Sequence, residues 1–240
     1  MKLSENQYVF LFSIIICLGC GILLSGVSEG LRKRQELNLD LDVKKNILKA
    51  VVLREPINPK TKAQEILDVY HHKIVELVVD AEGNIVEGKK PGDIAAGEKK
   101  LYPLYIYKEG EEVVSYAFPI VGQGLWSTLY GYLALEADLV TVRGLTFYKH
   151  GETPGLGGEI EKDWFQNNFK GKKIWSVKES TLTPIIVVKG RAKEIYTDER
   201  VEHAVDGITA ATITGNGVTE LLDRCLKYYE PYFSKLRKIG

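Results

Sequence analysis

Twenty-three consecutive residues without a charge, Asn6 to Ser28, constrain this chain more than any other feature. A helix needs about 20 apolar residues to cross a bilayer core, so the run NQYVFLFSIIICLGCGILLSGVS is read as a retained transmembrane helix. A cleaved leader fits less well. Glu5 accompanies Lys2 ahead of the run, the run exceeds the usual apolar core of a signal peptide, and no small-x-small cleavage site follows it. Lipidation at Cys20 would put Cys17 where an aliphatic residue is expected. The plainer reading sets Cys17 and Cys20 on one helix face, where Gly19 and Gly21 also permit close packing against a neighbouring helix. Arg32, Lys33 and Arg34 follow the span, but the positive-inside rule governs short flanks and does not orient a large domain.

The rest of the chain is ordinary for a folded protein. Of 240 residues, 45 % are apolar and 27 % charged, with 32 basic residues against 32 acidic ones. That balance gives no basic stripe for nucleic acid. Cys17, Cys20 and Cys225 are too few for a four-cysteine iron-sulfur cluster, and Met1 leaves no internal methionine to ligate a haem.

Periodicity sets out an α+β domain behind the anchor. Leu31, Leu37, Leu41, Ile47, Leu48, Val51 and Val52 continue a helical stalk, which Pro56 and Pro59 break, placing a linker at about 54–60. A short helix over 62–70 precedes a strand over 73–79, and Glu82-Gly83-Asn84 turns it toward Ile85 and Val86. Further strands are expected over 102–107, 113–121, 130–135 and 139–147, alternating as in an antiparallel sheet. Helices are expected over 160–169, with Trp164, Phe165 and Phe169 on one side, and over 218–233. In the latter, Val218, Leu221, Leu222, Cys225, Leu226 and Tyr229 form an apolar stripe. The expected domains are 1–30 as anchor, 31–60 as stalk and linker, and 61–240 as the folded domain.

Hydrolase and nucleotide-loop signatures are absent, and neither Gly122-Gln-Gly124 nor Gly155-Leu-Gly157 completes a dinucleotide fingerprint. His71, His72, His150 and His203 are scattered and read as structural or surface residues, as do Trp126, Trp164 and Trp175. No metal site is indicated. Two segments remain. His150-Gly-Glu-Thr-Pro-Gly-Leu-Gly-Gly158 has four glycines in nine residues, suited either to a tight strand-to-helix connection or to close approach of a flat or anionic group. Asp206-Gly-Ile-Thr-Ala-Ala-Thr-Ile-Thr-Gly-Asn-Gly217 clusters Thr209, Thr212 and Thr214 ahead of the last helix. There they suit a phosphate at a helix N-terminus or, more simply, capping by Thr214 or Asn216.

The segment DGITAATIT resembles the flavinylation motif Asp-Gly-x-Ser/Thr-Gly-Ala-Thr of periplasmic proteins that carry FMN through a phosphoester to threonine, and HGETPGLGGEI resembles that family's second signature. With the anchor, the LRKRQ stalk and the HAVDG lead-in, the chain resembles the C-subunit family of sodium-translocating NADH:quinone reductases. The G subunit of the Rnf complex is a sister family. The resemblance implies a mostly antiparallel FMN-binding domain on the periplasmic side of a bacterial inner membrane, in a six-subunit redox complex that passes electrons from NADH to ubiquinone and pumps Na⁺. It implies covalent FMN on Thr212, placed by a flavin transferase that reads Asp206 and Gly207. Glu152, Thr153, Leu156, Gly157, Thr209, Ala211, Ile213 and Thr214 would contact the cofactor, and no acid-base residue is needed. The chain departs from the motif at Ala210, where Gly is usual; alanine fits there unless φ is positive. The alternatives are an Rnf G subunit and an anchored non-redox binding module.

Overall fold

The computed structural model describes residues 4–52, 63–95, 98, 100–176 and 180–239; the linker expected at 54–60 lies outside them. The chain divides into two compact units, Met1–Val43 and Lys44–Gly240. The first holds most of helix α1 (Glu5–Val51), and its apolar part has a mean hydropathy of 2.5 with none of that window buried. A helix this long and apolar can cross a membrane. Its lipid-sized part is the uncharged run, which spans about 34 Å at 1.5 Å per residue.

The second unit is built on a five-stranded antiparallel meander in chain order. Helix α2 (Ala63–Lys73) leads into β1 (Ile74–Asp80), followed by β2 (Leu101–Glu109), β3 (Glu112–Gln123), β4 (Thr128–Glu136) and β5 (Val142–Lys149). The partner expected at Ile85 and Val86 reduces to a single bridge, Val79 to Ile85. Smaller elements follow: α3 (Asp163–Asn167), β6 (Trp175–Ser176), β7 (Thr181–Leu182), β8 (Ile186–Val187), α4 (Ala192–Ile195) and β9 (Ala204–Val205). Strand β8 pairs in parallel with β9. Helix α5 (Thr212–Ile239) closes the fold.

Both sheet faces are covered. On one, the α5 stripe from Val218 to Tyr229 is buried against Phe118, Ile120, Leu129 and Leu133. Each such large apolar side chain contributes about 1.5–3 kcal/mol by burial. On the other face lie the last turns of α1, where Ile47, Leu48, Ala50 and Val51 are wholly buried, together with Ile66 and Tyr70 of α2. Arg143 on β5 pairs with Glu136 at 2.6 Å and donates to the Val51 carbonyl, placing a guanidinium at the C-terminal end of α1.

Three expectations are corrected. Residues 139–140 bend and Thr141 makes only a single bridge, to Lys173, so that β5 starts at Val142, because the Asp138 carboxylate accepts from the amides of Val140 and Thr141, each at 2.8 Å, and Leu139 takes a positive φ of 58°. The helix expected over 160–169 shrinks to the five residues of α3, since Lys162 is extended and interrupts it. Phe165 and Phe169 are buried, but Trp164 faces solvent and donates its indole N–H to Glu159. The last helix starts six residues earlier than expected, taking in Gly215 and Gly217.

Both glycines were expected in the segment ahead of that helix, yet Gly217 is a packing residue inside it. A Cβ on it would overlap the Gln123 carbonyl at the end of β3. Gly217→Ala is therefore expected to destabilise the soluble unit by about 2–3 kcal/mol. Gly92→Ala, in a 3-10 turn where a Cβ meets nothing within 4 Å, should stay within about 0.5 kcal/mol. Denaturant unfolding of both variants checks this.

Candidate functional site

The two motif segments meet at one buried carboxylate. Glu152 follows β5, Thr214 lies in the first turn of α5, and the Thr214 hydroxyl donates to Glu152 Oε2 at 2.7 Å. The same carboxylate accepts from the amides of Leu125 (3.2 Å), Trp126 (2.9 Å) and Ser127 (3.1 Å) in the β3–β4 loop, and from the Ser127 hydroxyl at 3.3 Å. Ser127 Oγ accepts in turn from the Gly151 amide at 2.6 Å. Three segments far apart in sequence are thus joined through a side chain that is 4 % exposed. Burial alone would raise the Glu152 pKa, but the amide of Trp126, the Thr214 hydroxyl and the amides of Leu125 and Ser127 outweigh it and hold the group below the usual range.

Gly157 completes this node. A Cβ there would lie 2.5 Å from Thr214 Oγ1 and 2.9 Å from Glu152 Oε2, so no larger residue fits between loop and helix. His150 braces the loop from its start. Its Nδ1 accepts from the Glu152 amide at 3.2 Å, which leaves the proton on Nε2, 3.4 Å from a Glu161 oxygen.

Thr212 is the first residue of α5 and is exposed. The helical ladder begins with Gly215 N–H donating to Ala211, so the amides of Thr212, Ile213 and Thr214 have no partner within the helix. They place the positive end of the helix beside the Thr212 hydroxyl, a setting that favours a phosphate ester. Just before it, Ala211 N–H donates to the Ile208 carbonyl at 3.1 Å, closing a turn whose third residue, Ala210, has φ 59°. Glycine is the unstrained occupant of such a position, and alanine adopts it at a cost of about 1 kcal/mol.

A groove of about 540 Å³ opens beside this turn, lined among others by Gly155, Trp164, Arg191, Ile208 and Thr209. It offers an exposed indole plane, whose N–H is held by Glu159, with the Arg191 guanidinium, glycine backbone and the Glu159 and Asp206 carboxylates around it, and its open face can take a flat heteroaromatic ring. The phosphate setting at Thr212 and this groove together fit FMN.

The sequence candidates divide in two. Thr153, Leu156, Thr209, Thr212 and Ile213 are exposed around the turn and groove. Glu152, Gly157, Ala211 and Thr214 are buried beneath them. Glu152 and Thr214 spend their polar atoms on each other and on the β3–β4 loop, so they position the site from behind. The capping alternative also fails, since Thr214 and Asn216 lie inside α5. Asp206 Oδ1 accepts from the Ala192 amide at 2.8 Å and Gly207 donates to the Gly190 carbonyl at 2.9 Å, tying the motif's lead-in to the groove's other wall. Sequence reasoning missed Ser127 and the Gly124–Ser127 loop, which carry no motif. It read Trp164 as a structural or surface residue, and the structure places it on the surface, where it lines the groove.

Residues 124–227 match the FMN-binding domain family, a range that contains every segment just described. The C subunit of the Na⁺-translocating NADH-quinone reductase from Yersinia pestis is 31 % identical over 94 % of this chain and 91 % of its own length. That of Vibrio campbellii is 32 % identical over 94 % and 93 %. This chain belongs to the C-subunit family of the Na⁺-translocating NADH-quinone reductases. The crystal structure of the C subunit from Parabacteroides distasonis is similar at a TM-score of 0.71 and 32 % identity, covering 85 % of this chain and 97 % of that one. The Shewanella oneidensis NqrC structure shares the fold at a TM-score of 0.66. The family places the chain in a membrane oxidoreductase with other subunits.

Glu152→Ala is expected to cost about 3–5 kcal/mol, because it leaves several inward-facing donors without an acceptor. With its folded pKa depressed, Glu152 stabilises the fold above the unfolded carboxylate value near about 4.3, and this contribution is lost as pH falls through the lower folded value. The stability gap between wild type and Glu152→Gln should therefore narrow below about pH 4 in unfolding titrations. Ala210→Gly, by contrast, should gain up to about 1 kcal/mol.

Proposed function

We propose that this protein carries FMN on Thr212 through a phosphoester to its Oγ and serves as an electron carrier in a membrane Na⁺-pumping NADH:ubiquinone oxidoreductase. The observation that carries the reading is the placing of Thr212: an exposed hydroxyl on the first residue of α5, beside amides with no partner in the helix, three residues after Thr209, which lines the groove. Attachment transfers FMN from FAD to the Thr212 oxygen. The hydroxyl proton and the pyrophosphate bond are lost, and AMP leaves with a flavin transferase as catalyst.

When bound, FMN supplies reversible one- and two-electron transfer. The chain's own residues then have four tasks. The first-turn amides of α5 hold the phosphate's charge. Thr153, Leu156, Thr209 and Ile213 border the cofactor, and Trp164 and Arg191 offer a plane and a cation in the groove. Glu152, Gly157, Ala211 and Thr214 fix the geometry from below. Asp206 and Gly207, which brace the lead-in, present the motif to the transferase.

In this reading α1 anchors the chain in the inner membrane with Lys44–Gly240 on the periplasmic side, where flavinylation takes place. Six subunits share the work, and the NADH, quinone and Na⁺ sites lie mainly in the others, consistent with the missing dinucleotide fingerprint. Co-expressed with a flavin transferase, the domain should gain the mass of FMN less water, and the modified band should fluoresce on a denaturing gel. Thr212→Val should abolish both while leaving thermal unfolding unchanged. An unmodified wild-type chain, beside a control substrate that the same transferase does modify, would overturn the proposal.

A further inference from the structure

The uncharged run of α1 ends at Ser28, and three consecutive cations, Arg32, Lys33 and Arg34, follow it on the same unbroken helix. At the run's other end Tyr8 stacks on Phe12 at 6.3 Å, and a tyrosine there marks a membrane interface. With that end fixed, the run of about 34 Å crosses a hydrocarbon core of about 30 Å and reaches the second interface near Ser28. Arg32 to Arg34 then stand about 6–9 Å beyond Ser28, where the headgroup layer is about 5–7 Å deep. Side chains on an α-helix lean toward its N-terminus, which here is the membrane side, so all three cations reach back to the depth of the lipid phosphates.

Their surroundings leave this charge available. All three side chains are exposed. Arg32 lies 3.7 Å from Glu29 and 3.2 Å from Glu36, which covers the acid nearest the hydrocarbon edge, whereas Lys33 and Arg34 make no ion pair among the described residues. Apart from the covered Glu29, carboxylates follow only from Glu36 onward, about 12 Å or more beyond Ser28 and outside the headgroup layer. Successive helical residues are about 100° apart, so the three cations occupy about 200° of the circumference. A partner helix would cover a narrower stripe, and a collar of this width matches a plane of headgroups through which the helix passes.

We infer that Arg32, Lys33 and Arg34 bind the phosphates of anionic phospholipid headgroups and so fix the depth of α1 in the bilayer. The inference rests on the reading of α1 as a spanning helix and holds for either orientation. Each guanidinium can take two phosphate oxygens at once, and the Lys33 ammonium acts as a point charge between them.

The test reconstitutes the full-length chain in phosphatidylcholine bilayers with a trace of spin-labelled phosphatidylglycerol or spin-labelled phosphatidylcholine. The fraction of label immobilised by the protein gives their relative affinity. The wild type is expected to favour phosphatidylglycerol at least twofold at low salt and to lose that preference at about 1 M salt, where charge is screened within about 3 Å. Lys33→Gln with Arg34→Gln, which keeps the Arg32 ion pairs and the helical propensity, should bring the ratio to about one. Lys170→Gln with Lys193→Gln removes the same charge from exposed positions of the folded unit and should leave the ratio unchanged. A wild type without preference would overturn the inference, as would a collar variant that keeps it. An equal loss in the Lys170 and Lys193 variant would assign the preference to net charge and overturn it too. Alkaline carbonate extraction of membranes tests the premise separately: release of the wild-type chain would overturn the anchor, and the collar with it.

Discussion

One ionised carboxylate, Glu152, is the constraint on which the site depends. Burying a charge is costly unless it is fully hydrogen-bonded, and Glu152 meets that condition only when the β3–β4 loop, its own loop and the first turn of α5 are all in place. The requirement works in both directions. The fold satisfies the carboxylate, and the carboxylate fixes Thr214, and so the start of α5 and the Thr212 hydroxyl two residues before it. Small residues make the convergence possible, since Gly157 leaves no room for a side chain between loop and helix and Gly217 lets α5 rest on the end of β3.

The sheet and the site answer different demands. The meander from β1 to β5 is local in sequence, covered on one face by the α5 stripe and on the other by the last turns of α1 and by α2, and it supplies a rigid platform. The site gathers at the end of that platform, in turns and helix ends where backbone amides are free to bind. Strain is admitted there too. Ala210 sits in a left-handed conformation immediately before α5, a position where the rest of the fold dictates the backbone and the side chain tolerates it.

Much of this was legible from the residues. Alternating strands, the apolar stripe from Val218 to Tyr229, the uncharged anchor and the two motif segments all reflect local periodicity or composition, and each has its counterpart in the structure. The misreadings share a cause. Gly215 and Gly217 suggested a helix not yet begun, Thr214 suggested a cap, and Leu139 suggested a strand, because each residue's usual local preference was overruled by a distant partner or a neighbouring side chain. For Gly217 that partner is the Gln123 carbonyl, for Thr214 it is the Glu152 carboxylate, and for Leu139 the Asp138 carboxylate closes the turn around it.

The sequence by itself determined the apolar N-terminal helix, the antiparallel strands and the segments that hold Thr212, since these follow from hydropathy, periodicity and short motifs that act over a few residues. Tertiary structure alone decided that Glu152 and Thr214 support the site from beneath, that Ser127 belongs to it, and that Leu156 and Ile213 stand out around it. The reason is physical. Whether a polar group is a contact or a brace, and whether an apolar one is core or surface, depends on the groups brought beside it from elsewhere in the chain. For Glu152 and Thr214 those groups lie 62 residues apart.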